Sequence, residues 1–274
     1  MPAEDPLRSR PLAGVAPAPR RLTQVQALVY SGDMRFSRAI GLLLAAGLLV
    51  PLLFPEASRA GDADALIDRV LAAHGGKATL AKVKAYRMEG TIASRMQGTG
   101  PLVRTFARPD RLRVILDYPG RPEARFLDGA KGWRSGGQEK LAPTPVEGFL
   151  LSSMVLQAGR ANLPWLLDER RAEARLLPPA PDGKLQGIEV PLGPGLKVTA
   201  FVDLATGRIA RSAGDLDVPG MKTGFVTDYS DFRSVEGVLF PFREGNFASG
   251  QTTGETVITK VTVNPPLTDA DFRP

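Results

Sequence analysis

The chain has 274 residues, contains no cysteine and carries a formal net charge of +6. The lack of cysteine excludes disulfide bonds, a cysteine-based zinc site, a cysteine nucleophile and a lipidated cysteine. Seven Lys or Arg and four Asp or Glu fall in the first 60 residues, which leaves +3 for residues 61–274. Because no Lys/Arg cluster is interleaved with aromatic residues, nucleic acid is not expected as a partner.

The first 60 residues are interpreted as an extension followed by an export signal. Residues 1–33 are rich in Pro, Ala and Arg and are expected to be a disordered gene-model extension, with translation starting at Met34. Two arginines then precede an uncharged apolar run, 39–54, which is shorter than the ~20 residues of a membrane-spanning helix. The pattern predicts a signal peptide over residues 34–60, cleaved after Ala60. An uncleaved anchor and a buried first helix are the alternatives.

Residues 61–274 are expected to form one domain, which opens with an amphipathic helix. Apolar residues recur at helical spacing from Leu66 to Leu71, and Gly75 suits the position just after the helix. A short helical turn is expected next, over residues 78–83.

Strand signals begin after this turn. Apolar and polar residues alternate along short segments that end at turn residues such as Pro119 and Gly120. Because alternation places the apolar side chains on one face, these segments are expected to form an antiparallel meander against a core. The predicted strands are 86–92, 102–107, 111–118, 123–128 and 132–134.

The alternation stops at Thr144, and two strongly apolar helices are predicted over residues 146–158 and 164–171. Asn162 is expected to cap the second helix, with Pro164 in its first turn. Strand signals then resume and continue to the C-terminus. They predict strands over residues 174–177, 185–192, 196–203, 207–212, 222–232, 238–246 and 253–264. The series indicates an α+β, mainly β fold built on a strongly curved antiparallel sheet.

Catalytic and metal-binding motifs are absent from the sequence. It contains no nucleophile elbow, dinucleotide-binding loop or phosphate-binding loop, so no cofactor is expected. His74 is the only histidine, which excludes a histidine-based metal site, and its place before Gly75 favours helix capping over catalysis. A calcium site made of carboxylates and a catalytic carboxylate pair stay open, but no spacing singles them out. No catalytic residue is therefore assigned.

Apolar and aromatic side chains are the positive signal. They are spread over many strands and both middle helices, where they either fill a core or line a cavity for a hydrophobic ligand. Methionine in a lid would adapt to irregular ligands. The candidate ligand-binding residues are Phe106, Val114, Phe126, Trp133, Phe225 and Phe240 in the strands and, as a lid, Phe149, Leu150, Met154 and Trp165 in the helices.

Four stretches of the chain, taken in order, resemble one protein family. They are the opening helix with its glycine end at Gly75, the Thr-Gly hairpin within residues 202–208, the pattern Tyr-x-Asp-Phe-x-x-Val-x-Gly-Val-x-x-Pro over residues 229–241, and the C-terminal strand and tail over residues 261–272. Their order and spacing resemble the periplasmic lipoprotein-carrier superfamily, the LolA- and LolB-like proteins. The third stretch is similar to outer-membrane lipoprotein-sorting proteins.

The resemblance implies an incomplete antiparallel barrel, closed by helices, that encloses an apolar cavity for acyl chains. It implies an exported, periplasmic and non-enzymatic carrier or binder of a lipid, of lipoprotein acyl chains or of another hydrophobic ligand. Such a carrier would be monomeric and would exchange its cargo with membrane-bound donor and acceptor proteins. Loops rich in Gly and Pro, at residues 178–183, 193–195 and 214–220, depart from the family pattern and leave the cargo unassigned.

Two alternatives stay open on the same fold. One is a sensor of envelope stress or a scaffold, which would need the same hollow and a stable protein partner. The other is a periplasmic hydrolase, which would need a polar cluster inside the hollow with shifted pKa values.

Overall fold

The structure, a computed structural model, describes residues 56–136 and 142–274. The predicted extension over residues 1–33 and the predicted signal sequence up to residue 55 lie outside the described residues. The first helix begins at Glu56, before the predicted cleavage after Ala60, and that cleavage stays a prediction. No helix in the described part of the chain is both long enough and apolar enough to cross a bilayer.

Four α-helices and two single 3₁₀ turns are present among the described residues. The helices are α1 (Glu56–Ala73), α2 (Lys77–Leu80), α3 (Gly148–Ala161) and α4 (Trp165–Glu169), and the 3₁₀ turns are Arg171–Glu173 and Asp269–Phe272. The predicted apolar stripe of α1 is buried, with Ile67 and Val70 fully enclosed. This face packs towards α4, because the helix contacts α2, α4 and the strand that follows the first 3₁₀ turn.

Thirteen antiparallel strands form one sheet. They are β1 (Ala85–Ser94), β2 (Gly98–Ala107), β3 (Arg111–Tyr118), β4 (Arg121–Asp128), β5 (Lys131–Gly136), β6 (Thr144–Val146), β7 (Arg175–Leu176), β8 (Leu185–Gly193), β9 (Leu196–Asp203), β10 (Ile209–Val218), β11 (Met221–Val235), β12 (Val238–Ala248) and β13 (Gln251–Val263). Their order is β6-β5-β4-β3-β2-β1-β13-β12-β11-β10-β9-β8-β7, so β6 and β7 are the two edges and the barrel is incomplete.

Helix α3 closes the gap in the barrel. It contacts β4 and β5 near one edge of the sheet and β8, β9 and β10 near the other. A helix can touch both ends of a 13-stranded sheet only where the sheet curls around it, as twisted strands do. The predicted fold class, a mainly β protein with a strongly curved antiparallel sheet closed by helices, is confirmed.

Three details differ from the sequence prediction. Residues 144–146, where the strand pattern was expected to stop, form β6 beside β5. Residues 214–220 are not a long loop, because β10 continues to Val218 and only a tight turn at Gly220 leads into β11. Asn162 does not cap α4. It is the C-terminal cap of α3, and its side-chain Nδ2 donates to Glu169 Oε2 at 2.9 Å.

Candidate functional site

A cavity of about 350 Å³ lies inside the curl of the sheet. Strands β1–β4 line one side and β10–β13 line the other, while α3 and the start of α4 cover it. Strand alternation selects the lining, because Leu102 and Arg104 face the cavity and Val103 between them does not. Sheet curvature therefore assembles the site from residues far apart in the chain.

The side formed by β1, β2 and β3 is largely apolar. The apolar lining residues on these strands are Met88, Ile92, Leu102, Val114 and Leu116. Each methylene group that leaves water for such a surface gains roughly 0.8 kcal/mol. This wall is therefore suited to hydrocarbon.

Tyr86 lies at one end of the cavity, where it packs against two aromatic rings and bonds to helix α3. Its ring centroid lies 5.3 Å from that of Phe240 and 6.1 Å from that of Trp165. The Tyr86 hydroxyl donates to the Ala161 carbonyl at 2.6 Å, and Trp165 Nε1 donates to the Leu80 carbonyl at 2.9 Å. The first bond ties the end of α3 to β1, and the second ties the start of α4 to the end of α2. Burial raises the pKa of Tyr86, which keeps its hydroxyl protonated as a donor.

A buried ion pair joins the two sides of the sheet. Arg104 on β2 binds Glu244 on β12 through both carboxylate oxygens, with Nη1 to Oε2 at 3.1 Å. The two side chains are only 14% and 6% exposed. Burial opposes the charge of Arg104, but the charge and hydrogen bonds of Glu244 outweigh it and raise the pKa of the guanidinium. The pair is thus internally neutralised.

A band of neutral polar groups continues across β11, β12 and β13. Thr227 Oγ1 donates to Asn246 Oδ1 at 3.1 Å, and Asn246 Nδ2 donates to Thr256 Oγ1 at 3.2 Å. The Tyr229 hydroxyl lies 2.7 Å from Ser212 Oγ on β10. The cavity is therefore amphipathic, with this polar band facing the apolar wall.

Two further arginines reach the cavity. Arg125 on β4 is paired with the buried carboxylate of Glu123. Arg160 on α3 donates from Nη1 to Thr227 Oγ1 at 3.1 Å, and its guanidinium carbon lies 6.0 Å from the ring centroid of Phe225. Burial lowers the pKa of Arg160, but a guanidinium remains cationic at neutral pH. Arg160 therefore brings a positive charge to the cavity.

His74 lies at the aromatic end of the cavity and holds elements together. Its Nε2 accepts a hydrogen bond from the Ile209 backbone N–H at 3.2 Å, so Nδ1 carries the proton and faces the Leu239 carbonyl at 3.3 Å. Burial lowers the pKa of His74 to about 4. The neutral imidazole joins the end of α1 to β10 and β12. The predicted helix-capping role is therefore wrong, since both partners lie on strands.

Four of the ten candidate ligand-binding residues line this cavity, namely Val114, Trp165, Phe225 and Phe240. Phe106 and Met154 are buried in the hydrophobic core. Phe149 is half-buried against that core, whereas Leu150 is 40% exposed on the outer side of α3.

Phe126 and Trp133 lie on the other face of the sheet. They are direct partners in the register of β4 and β5. Arg125, next to Phe126, points into the cavity, and neighbouring residues of a strand point to opposite faces. The aromatic pair therefore sits on the convex side.

The polar residues of the cavity were missed by the sequence analysis. The sequence pattern that could have revealed them is a charged residue at an inward-facing position of a strand with alternating apolar and polar residues. Arg104 follows Leu102 and precedes Phe106 in this way, and Glu244 follows Phe240 and Phe242. A charge placed among inward apolar residues must find a partner, and that requirement predicts the ion pair.

No family model matches the chain, and no curated protein matches it. Three solved structures are similar to the chain, and the similarity covers 97% of the length of each of them. One is described as an outer membrane lipoprotein-sorting protein domain from Vibrio parahaemolyticus (12% identity, 78% of this chain, TM-score 0.47). The others are a DUF1329 family protein from Desulfovibrio piger (13%, 77%, 0.49) and a LolA superfamily protein from Nitrosomonas europaea (13%, 77%, 0.48).

Proposed function

We propose that this protein is an exported, periplasmic carrier or binder of a lipid, whose hydrocarbon lies in the cavity between the curved sheet and α3. The observation that supports it is the enclosed apolar wall of β1–β3 under a helical cover. The cavity volume of about 350 Å³ falls within the roughly 300–1,000 Å³ of small-molecule sites.

Shielding a lipid needs a dry apolar surface and a cover that can move. The cover is α3 with the start of α4, which the Tyr86 and Trp165 hydrogen bonds hold at one end. Val114, Trp165, Phe225 and Phe240 would contact the ligand, while Phe149, Leu150 and Met154 would belong to the moving cover. Helix α3 also packs on strands from both edges of the sheet, so its displacement would open the barrel.

The polar cluster favours binding over acid–base catalysis. A general acid or base works best with a pKa near the operating pH. Burial raises the pKa of Tyr86 and Tyr229, and Glu244 raises that of Arg104, so all three move away from neutrality. These shifts keep the groups in one protonation state, which is the requirement of a binding site.

The test is to fill the cavity with a side chain. Val114→Trp places an indole among the apolar lining, whereas Ile115→Trp on the same strand places it on the opposite, half-buried face. We expect Val114→Trp to lower the affinity for a fluorescent acyl probe at least about tenfold, since one lost pocket contact alone costs ~1–3 kcal/mol. Ile115→Trp should bind like the wild type.

Native mass spectrometry of gently purified protein provides the second readout. Lipid should accompany the wild type and Ile115→Trp, and it should be lost from Val114→Trp. Equal probe binding by both variants, or no probe binding and no lipid in the wild type, would overturn the proposed function. A stable protein partner in its place would favour the sensor alternative.

A further inference from the structure

The charged groups in the cavity do not balance. Its lining contains three arginines and one glutamate, and His74 is neutral. Glu244 neutralises Arg104, and Glu123, just outside the lining, is shared between Arg125 and Arg134. Arg160 is the arginine of the lining that forms no ion pair with a carboxylate of the described residues.

Arg160 has no anionic partner in the described part of the chain. Within residues 56–136 and 142–274, no carboxylate oxygen lies within 4.0 Å of its guanidinium. Its one side-chain hydrogen bond goes to the neutral hydroxyl of Thr227, and its Nε is buried without any partner. A partly exposed cation whose Nε is buried without a partner is costly unless an anion lies beside it.

The position of Arg160 suits a ligand headgroup. It projects from α3 towards the polar band, so it reaches the cavity opposite the hydrocarbon wall of β1–β3. Tyr229 and Asn246 of the band line the same space and offer hydroxyl and amide groups beside it. A guanidinium binds carboxylate or phosphate through parallel hydrogen bonds, which fixes the orientation of the anion.

We infer that the ligand is an anionic amphiphile, whose carboxylate or phosphate pairs with Arg160 at the polar band while its hydrocarbon lies along β1–β3. This inference rests on the proposed function and specifies the ligand class. Arg104 already has Glu244 as its counter-charge, so the anion of the ligand would bind to Arg160. The headgroup would also contact α3 itself, so ligand binding would be coupled to closure of the helical cover.

The experiment compares lipids that share a tail and differ in the headgroup. Oleic acid, the phosphate monoester oleyl phosphate and oleyl alcohol would compete against a fluorescent acyl probe on delipidated protein. We expect the wild type to prefer an anionic lipid over the alcohol by roughly 10- to 100-fold, the range of a charge-assisted hydrogen bond. A preference between the carboxylate and the phosphate identifies the headgroup.

Arg160→Met keeps the length of the side chain and removes its charge. It should abolish the preference for anions, because it weakens the binding of the two anions far more than that of oleyl alcohol, while Arg160→Lys should retain part of the preference. Arg113→Met, which removes a charge from the opposite face beside Phe126, is the control and should behave like the wild type.

The outcomes separate the two proposals. Binding of oleyl alcohol as tightly as the anions by the wild type, or an unchanged anion preference in Arg160→Met, would overturn the inference and leave the proposed function standing. Failure of every lipid to bind would overturn both. Circular dichroism confirms folding, and Arg160→Gln, which also removes the charge, provides the same comparison if Arg160→Met does not fold.

Discussion

At the scale of single residues, burial decides the charge state of the one histidine. His74 is held between the backbones of Ile209 and Leu239 and is 4% exposed. Desolvation penalises the imidazolium there, and the nearby positive charge of Arg208 adds to the effect. Because the chain has no other histidine, His74 is the only side chain whose ordinary pKa lies near pH 6.

We expect acid to destabilise the fold through His74. The unfolded imidazole titrates near 6.5 and the folded one near 4, so the unfolded state takes up the proton first as the pH falls. The free energy of unfolding should therefore be about 2 kcal/mol lower at pH 5 than above pH 6.5, because each pH unit between the two pKa values costs ~1.4 kcal/mol.

Urea unfolding of the wild type and of His74→Gln, between pH 7.5 and 5, measures this effect. Glutamine retains an acceptor for the Ile209 N–H but does not titrate. A parallel loss of stability in both proteins would show that another group is responsible.

Breaking the buried ion pair should lower the free energy of unfolding more than breaking an ion pair on the surface. Glu244→Gln leaves the Arg104 cation buried without its counter-charge, and we expect a loss of about 3 kcal/mol in unfolding free energy. Glu255→Gln breaks a pair with Arg243 whose side chains are 46% and 52% exposed, and it should cost less than ~1 kcal/mol. Chemical denaturation compares them, and similar losses would contradict the buried character of the first pair.

At the scale of elements, one close approach positions α1 on the sheet. Gly75 has φ +124°, and a Cβ built there would lie 2.3 Å from the Gly237 carbonyl oxygen in the turn between β11 and β12. Its neighbour Gly76 has φ +83°, but a Cβ there meets no atom within 4 Å. The same contact orients His74, whose carbonyl accepts a hydrogen bond from the Leu239 N–H.

Alanine at these two glycines should separate steric contact from backbone strain. Gly76→Ala should cost about 1–3 kcal/mol, because φ +83° with ψ +153° is a conformation that L-residues hardly adopt. Gly75→Ala should cost at least ~2 kcal/mol more, because the turn must also move away from the helix. Thermal and urea unfolding measure both, and equal costs would show that the contact can relax freely.

Most elements could be predicted because their signals are local. The alternation of β3 and β9 places those two strands at their observed ends, and the α1 stripe from Leu66 to Leu71 is buried as expected. The extent of β10 was underestimated, because its Gly214 resembles a loop residue. Gly214 lies in register with Val198 on β9 and with Phe225 on β11, and strand pairing on both sides holds that glycine extended.

At the scale of the whole molecule, closure creates the cavity. The edges of a 13-stranded sheet would be free if the sheet were flat, and α3 instead contacts strands near both edges. The same closure brings Arg104 on β2 to Glu244 on β12, 140 positions apart in the chain. An ion pair across that span contributes to the curvature and lies at the centre of the site.

Periodicity and turn chemistry act over a few neighbouring residues, so the amino-acid pattern alone predicts most elements, the mainly β class and the burial of most apolar residues. The side of the sheet that each aromatic residue occupies follows only from the folded chain. There, Val114 and Phe240 lie in the cavity and Phe126 and Trp133 lie outside it. Folding also leaves Arg160 without a counter-charge among the described residues. Such pairings depend on strand order and curvature, which are properties of the closed sheet and of no single segment.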